Sequence, residues 1–454
     1  MKLPNDVKFI LEKLNNFGLE AYVVGGCVRD TLLGKEPKDW DICTNAKPEK
    51  VMEVFKDFEI IPTGLQHGTV TVMLNHIGYE ITTYRIDGDY SDGRHPDSVS
   101  FTSDLAEDLS RRDFTINALA YNEVEGIVDI FGGIEDLKNK KIKCVGTPID
   151  RFNEDALRIL RALRFSSVLG FKIEENTKQA IFEIYKNLDK IAKERINVEF
   201  SKMLQGINNV KILREYIEVY GYIIPELLKM KGFEQVNPYH KYDVLEHTLK
   251  VIENLDRDNL PLLLAGLFHD IAKPITFFKD EAGVGHFNGH PSKSAEMSEI
   301  ILKNLKYSND IIDRTLWLIK YHDLMMTPDN KFIRKILRKS AGFDENSKTM
   351  FELLLKLRRA DILGQSEYKR TERLEVVDLT EKLLRDFVPE DDCFTVKQLN
   401  INGNDLIAMG YEAGKFMGVI LNELLNKVIN EELQNDKESL KLYVLEKYPK
   451  NRKI

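Results

Sequence analysis

Residues 22–42 read YVVGGCVRDTLLGKEPKDWDI. An apolar run ends in Gly25-Gly26, Arg29 follows, and Asp39 and Asp41 flank a tryptophan. Residues two apart in a strand project to the same face, so these carboxylates repel unless cations lie between them. Hard cations such as Mg²⁺ suit oxygen ligands of this kind and bind substrate phosphates. In a two-metal arrangement one ion activates an attacking hydroxyl and the other stabilises the leaving pyrophosphate. Glycines ahead of a helix let backbone N–H groups approach a triphosphate, and Arg29 adds charge. The competing reading is an edge strand with two solvated acids after an ordinary glycine turn.

Two later stretches extend this chemistry. In EDLSRRDFTINALAYN, Arg111, Arg112, Asp113 and Asn117 sit at the start of an expected helical segment. The arginines can clamp triphosphate oxygens, and the acid and amide can hydrogen-bond a ribose. In RFNEDALRILRALRF, Ala156, Ile159, Leu160 and Leu163 make an apolar stripe at helical spacing. Asp155, Arg158, Arg161 and Arg164 fan across the other side, three arginines with no acid close enough in sequence to neutralise them. Asp155 and Arg158 are one turn apart and present an acceptor beside a fork of donors. Cytosine and adenine both show an amino donor next to a ring-nitrogen acceptor, which this pair complements. Guanine and uracil would leave both partners mismatched, and a buried mismatch discriminates strongly. Leu157 and Phe165 intrude on this face, as base contacts or as core.

A different chemistry lies further on. Six of nine histidines fall between residues 240 and 322: His240, His247, His269, His286, His290 and His322. His269-Asp270 closes an apolar run in LLLAGLFHDIAKP, and Asp361 lies in LRRADILGQ. Imidazole and carboxylate ligands suit Mn, Fe, Co, Ni or Zn, and ligands spread over several helices imply a site built across a bundle.

The elements that must position these groups follow from periodicity. AYVVGG and DWDICT read as short strands around the helix VRDTLLG, and GTVTVML and YEITTYR as a hairpin across NHIG. From about residue 150 a period of 3.6 takes over, interrupted around MKGFEQVNPYHKYD. The expected organisation is a small α+β head over the first 145 or so residues, followed by a long α-helical body. At 454 residues several domains are expected. No apolar run approaches the roughly 20 residues that span a bilayer, and no signal-peptide core opens the chain. Cys27, Cys43, Cys144 and Cys393 lack C-x-x-C spacing and read as reduced thiols of a cytoplasmic protein. A net charge of −8 argues mildly against nucleic acid, although basic stretches stand at DNKFIRKILRKS and at the C-terminal KLYVLEKYPKNRKI. Nothing in the sequence sets an oligomeric state.

GGCVRDTLLGKEPKDWDI, RRDFTINALA, DIFGGIEDL, EDALRILRALRF and KERINVEFSKML resemble the five ordered motifs of the class II tRNA nucleotidyltransferases, the CCA-adding enzyme and poly(A) polymerase family. The resemblance covers roughly the first 205 residues. It implies a polymerase-β-like head (1–145) followed by a helical neck (146–235), a metal-binding body (236–365) and a tRNA-contacting tail (366–454), and template-independent addition of C, C and A to the tRNA 3′ end from CTP and ATP. It makes Asp39 and Asp41 Mg²⁺ ligands, with Glu80 a weaker third acid. Gly26, Arg29 and Arg112 become triphosphate contacts, and Asp155, Arg158, Arg161 and Arg164 bind the nucleotide. Glu194 and Arg195 would brace the neck. The loop DGDYSDGRHPDSV is similar to that of members able to add the terminal A, which leaves full CCA addition and A addition both open; poly(A) polymerases of the family tend to be more basic. INGNDLIAMGYEAGKFMGVILNELLNKVI is similar to the family's tail, a tRNA-body contact or ordinary helix packing. Residues 240–365 resemble the HD phosphohydrolase superfamily, which assigns His247, His269, Asp270 and Asp361 as ligands and lets His290 and His322 support a second metal. His286 competes with His290. Two further readings stay in play: a phosphohydrolase whose head senses nucleotides, and a tRNA-binding adaptor.

Overall fold

A computed structural model describes residues 1–88, 99–343, 348–388 and 392–449. Most of the loop DGDYSDGRHPDSV and the end of the basic C-terminus lie outside them. The chain divides into two units, residues 1–223 and 224–454.

The first unit is α+β. A seven-stranded sheet runs in the order β3-β4-β5-β2-β1-β8-β9. Its strands are β1 (Ala21–Val24), β2 (Ile42–Thr44), β3 (Glu59–Gly64), β4 (Thr69–Leu74), β5 (Ile77–Thr83), β8 (Leu119–Asn122) and β9 (Gly126–Asp129). β6 (Arg85–Asp87) and β7 (Val99–Phe101) form a separate ribbon. Only β2 and β5 pair in parallel within the large sheet; its other pairs are antiparallel. β4 alternates partly buried and buried residues, the signature of one covered face. It meets β5 across Asn75-His76, both at positive φ, which matches the right-handed twist of a two-residue hairpin. Central β1 is buried throughout, so its end delivers Gly25 to the sheet's rim from a fixed support.

Helices α1 (Asn5–Asn16), α2 (Gly26–Leu32), α3 (Pro48–Val54), α4 (Leu105–Ser110) and α5 (Gly133–Lys138) accompany the sheet. The chain continues as α6 (Pro148–Glu154), α7 (Leu157–Leu169), α8 (Glu175–Ile184), α9 (Lys193–Leu204), α10 (Asn209–Glu215) and α11 (Ile217–Ile223). β10 (Lys141–Ile142) and β11 (Lys172–Ile173) make one short parallel pair. Ile159, Leu160 and Leu163 of α7 are buried, and Gly170 closes the helix at φ +74°.

Two expectations need correction here. The strand DWDICT begins only at Ile42, so Asp39 and Asp41 lie in its extended approach. RRDFTINALAYN does not open a helix: α4 ends at Ser110, a single 3₁₀ turn spans Thr115–Asn117, and the chain enters β8. Burial of Ile116, Leu119 and Ala120 against the sheet overrides the helical reading.

Among the described residues the second unit has helices and only the two-residue strands β12 (Phe278–Lys279) and β13 (Gly285–His286). It comprises α12 (Glu226–Met230), α13 (Val244–Glu253), α14 (Leu260–Phe268), α15 (Lys273–Thr276), α16 (His290–Asn304), α17 (Asn309–Tyr321), α18 (Asn330–Ser340), α19 (Lys348–Gly364), α20 (Arg370–Asp386), α21 (Gly403–Ala408), α22 (Lys415–Ile429) and α23 (Lys437–Lys447). α14 is apolar on every side, as a helix enclosed by α13, α17 and α19 must be. A separate core from Cys393 to Val444 holds the last three helices together. Among the described residues no helix is long and apolar enough to cross a membrane.

Candidate active site and metal centre

In the first unit the Val24 N–H donates to the Asp41 carbonyl at 2.9 Å, and the Gly25 N–H to the Leu119 carbonyl at 2.9 Å. These two bonds set the approach to β2 and the start of β8 against the glycine turn. Gly25 adopts φ +80°, and a Cβ there would meet Arg112 Nη1 at 3.0 Å. Only glycine tolerates both the backbone and the guanidinium. Asp39 and Asp41 are solvent-accessible, and neither carboxylate has a hydrogen-bond or ion-pair partner among the described residues. Partial desolvation raises the pKa of Asp41; Asp39 raises it further and Arg112 opposes both. Two unpartnered, mutually repelling carboxylates fit a hard cation. Glu80 precedes Ile81, the register partner of Ile42, and so lies across from Asp41 on the neighbouring strand.

Arg111 and Arg112 converge on Asp108, a fully buried acid on α4, at 2.7 and 3.4 Å. Burial pushes the Asp108 carboxyl up, but the two arginines outweigh it and leave it below the usual range. Arg112 Nε is buried without a partner, which leaves this guanidinium with donors to spare.

A second network ties α2, the 3₁₀ turn, α7 and α9 together. Arg29 donates to Asn117 Oδ1 at 2.6 Å and chelates its neighbour Asp30. The Asn117 amide donates to Asp113 at 3.0 Å, and Asp113 accepts from Arg161 at 2.7 Å. Burial pushes Asp113 up, yet Arg161 and Asn117 hold its pKa down at about 2. Burial also opposes the charge on Arg161, but Asp113 and Glu199 outweigh it and keep its pKa above the ordinary arginine value. Arg164 pairs with Glu199 at 2.5 Å; burial and the neighbouring Arg161 nevertheless pull it down. Phe165 is core, packed edge-on against Phe114 and faced by Arg164, Arg29 and Arg161 at 3.9, 5.0 and 5.4 Å from its centroid. Leu157 is also buried.

Asp155 does not ride on the helix with Arg158. It is the extended residue between α6 and α7, and its Oδ1 accepts the Leu157 N–H at 2.9 Å. Its carboxylate is held by Arg195 of α9 at 2.8 Å. Arg158 donates to Glu154 at 2.5 Å and to the Arg151 and Arg111 carbonyls at 3.0 and 3.1 Å. The expectation of arginines lacking acids is therefore overturned: Glu154, Asp113 and Glu199 neutralise Arg158, Arg161 and Arg164 in turn.

In the second unit six side chains meet. His247 Nε2 lies 3.2 Å from Asp361 and 3.3 Å from both Asp270 and His269 Nε2. His290 Nε2 lies 3.3 Å from Asp270 Oδ1 and from His322 Nε2. Each ring is oriented through Nδ1 by a backbone carbonyl: His247 by Gly364, His269 by Gly266, His290 by Phe287 and His322 by Ile319, at 2.7 to 3.1 Å. With Nδ1–H donated outward, every Nε2 presents a lone pair inward, the tautomer a metal requires. Two triads result, His247/His269/Asp270 and Asp270/His290/His322, sharing Asp270. Both Asp270 oxygens are buried and face imidazole Nε2 atoms at 3.2 to 3.8 Å, with Lys273 Nζ 2.7 Å from Oδ2, so the cluster offers the nitrogen and oxygen donors that suit bound cations. His286 stands apart, half exposed and paired with Asp280 at 2.7 Å, and His240 contacts Lys273 at 3.4 Å. Burial, with Lys273 beside it, lowers the His240 pKa to about 2.

Comparison with known proteins decides the family. A profile described as "Poly A polymerase head domain" matches residues 21–143, "Probable RNA and SrmB-binding site of polymerase A" residues 170–230, and "tRNA nucleotidyltransferase domain 2 putative" residues 290–444. The CCA-adding enzyme of Oceanobacillus iheyensis is 36% identical over 96% of both chains. That of Enterococcus faecalis is 35% identical over 96% of this chain and 95% of its own. This chain belongs to the CCA-adding enzyme family. The Bacillus stearothermophilus CCA-adding enzyme in complex with CTP superposes with a TM-score of 0.68 at 29% identity, covering 98% of each chain. The Thermotoga maritima CCA-adding enzyme complexed with tRNA shares the fold, with a TM-score of 0.58 at 22% identity. A nucleotidyltransferase of this family works with a divalent metal.

Several residues that shape this CCA-family site escaped the sequence reading. Asp108 and Glu154 precede their arginines by three or four positions, a spacing that was available as a signal, although α4 ends at Ser110 and α6 at Glu154, so neither pair lies within one helix. Glu199 reaches Arg164 across 35 residues, and no local pattern announces it.

Proposed function

We propose that this CCA-adding enzyme extends the 3′ end of tRNA with C, C and A, taking CTP and ATP as substrates without a nucleic-acid template. The observation that carries the site assignment is the meeting at one rim of the sheet of Gly25, Arg112 and two aspartates that have no partner among the described residues. Asp39 and Asp41 would hold Mg²⁺. When bound, the cation favours ionisation of the tRNA hydroxyl and neutralises charge on the triphosphate. Gly25 and Gly26 let the triphosphate approach the backbone, and Arg29, Arg111 and Arg112 supply donors for its oxygens. Asp155 and Arg158 read the base edge. A guanidinium has five N–H donors and a carboxylate about four acceptor sites, so both keep capacity beyond the bonds they make inside the protein. Asp113, Asn117, Arg161 and Arg164 fix the surface on which that reading occurs.

The division into head (1–145), neck (146–235), metal-binding body (236–365) and tRNA-contacting tail (366–454) is part of this proposal, as is a cytoplasmic location, in keeping with four buried free thiols. The test is incorporation of labelled CTP and ATP onto tRNA lacking its last three nucleotides. Two C and one A are expected. ATP alone, and only onto tRNA ending in CC, would make this an A-adding enzyme; a long A tract would make it a poly(A) polymerase.

A second activity is favoured by one observation: Asp270, fully buried, lies between two pairs of inward-facing imidazoles and is shared by both triads. We assign this centre to a transition metal (Mn, Fe, Co, Ni or Zn) and to phosphoester hydrolysis, in which the metal lowers the pKa of water. Phosphate release that depends on added metal and vanishes in Asp270→Ala checks it; no release with any of these metals refutes it.

A further inference from the structure

The centre in the second unit opens into a cavity of about 390 Å³. Its walls carry three acids, Asp270, Asp323 and Asp361, and three bases, Lys273, Arg358 and Arg373. These charges cancel, so whatever cations the histidines hold set the net charge of the cavity. One or two divalent ions make it positive by two to four charges, a match for a ligand with more than one anionic group.

The three bases are not equivalent. Lys273 Nζ is spent: it contacts Asp270 at 2.7 Å, Gln235 Oε1 at 2.7 Å and His240 Nε2 at 3.4 Å. Arg358 Nη1 serves Asp323 and Asp361, both at 3.1 Å. Arg373 differs. It makes no ion pair among the described residues, its Nη2 donates to Gln365 Oε1 at 2.5 Å, and its Nη1 is buried with no partner. Tyr239 backs the guanidinium at 5.3 Å from the ring centroid, which holds its plane. Gln365 in turn donates to Asp361 Oδ1 at 2.8 Å, so Arg373 stands one amide away from a candidate metal ligand. A partly buried guanidinium with an idle, buried donor beside a cavity is costly unless an anion completes it.

Resting on the phosphohydrolase reading, we infer that Arg373 is a ligand-binding residue and that the cavity takes a phosphomonoester bearing a second anionic group, a carboxylate or another phosphate. The metal that His247, His269, Asp270, His290 and His322 would hold would take the phosphate, and Arg373 would take the remote anion. A phosphodiester with a single charge would leave Arg373 unpaired. A purely structural Arg373, acting through Gln365 on Asp361, would affect all ligands alike.

Non-hydrolysable probes separate these outcomes. Calorimetry would compare phosphonoacetate with methylphosphonate on the full chain loaded with Mn²⁺ or Co²⁺. A charge-assisted pair predicts at least about tenfold tighter binding of phosphonoacetate. Arg373→Ala should erase that preference and leave methylphosphonate binding within about twofold, while Arg373→Lys restores part of it. A preference that survives Arg373→Ala, or equal loss of both ligands, overturns the inference alone. Failure of methylphosphonate to bind the metal-loaded chain overturns the phosphohydrolase reading together with it.

Discussion

Replacing Asp113 with asparagine keeps the shape of the side chain and removes its charge from the network that links Arg29, Asn117 and Arg161. The folded carboxyl is depressed from 3.8 to about 2, which corresponds to about 2 kcal/mol at roughly 1.4 kcal/mol for each pKa unit. Because the folded value lies below the unfolded one, this stability is fully present above about pH 4 and is lost as pH falls through about 2. Asp113→Asn should therefore destabilise the first unit by about 2 kcal/mol at pH 7, and by only about 1 kcal/mol at pH 3. The chain has two tryptophans, Trp40 and Trp317, one in each unit. Urea unfolding followed by fluorescence in a Trp317→Phe background reports the first unit through Trp40. Asp113→Ala, which also removes the acceptor, should cost more, about 3 kcal/mol or above. A gap between parent and Asp113→Asn that is the same at pH 3 and pH 7 would refute the electrostatic reasoning.

Three other outcomes follow from the same geometry. Arg195→Ala frees Asp155 from its 2.8 Å partner; since that pair is partly exposed, a loss of about 1 kcal/mol is expected, or about fivefold in discrimination of CTP and ATP against UTP and GTP. Unaltered discrimination in competition assays would count against Arg195 as the residue that positions Asp155. Asp41→Asn should reduce nucleotide incorporation by at least about a hundredfold while tRNA retention on filters stays as in the parent, and a milder loss would remove Asp41 from the metal site. Asp270→Ala should lower the transition-metal content measured by mass spectrometry and leave nucleotide incorporation intact; unchanged metal content would show that Asp270 is not a shared ligand.

What the sequence disclosed was chiefly what is local. The hairpin between β4 and β5 was visible because alternation and a two-residue turn operate within fifteen residues. The histidine cluster was visible because imidazoles are rare and a turn after His269-Asp270 is distinctive; the structure places His290, rather than His286, among the inward-facing rings. Non-local terms were hidden. Asp155 leaves the helix because its carboxylate caps the Leu157 N–H and meets Arg195, forty residues on. The arginines of α7 looked free because their acids arrive from α6, from the turn before β8 and from α9. RRDFTINALAYN was misread because sheet burial outweighs helix propensity there.

The proposed function divides labour within the first unit, with chemistry at Asp39 and Asp41 and base choice at Asp155 and Arg158. Single-turnover incorporation of each of the four nucleoside triphosphates by Asp155→Ala tests it most directly. The expected result is continued metal-dependent transfer with UTP and GTP gaining at least about tenfold relative to CTP and ATP. Transfer by this variant with undiminished rejection of UTP and GTP would contradict the claim.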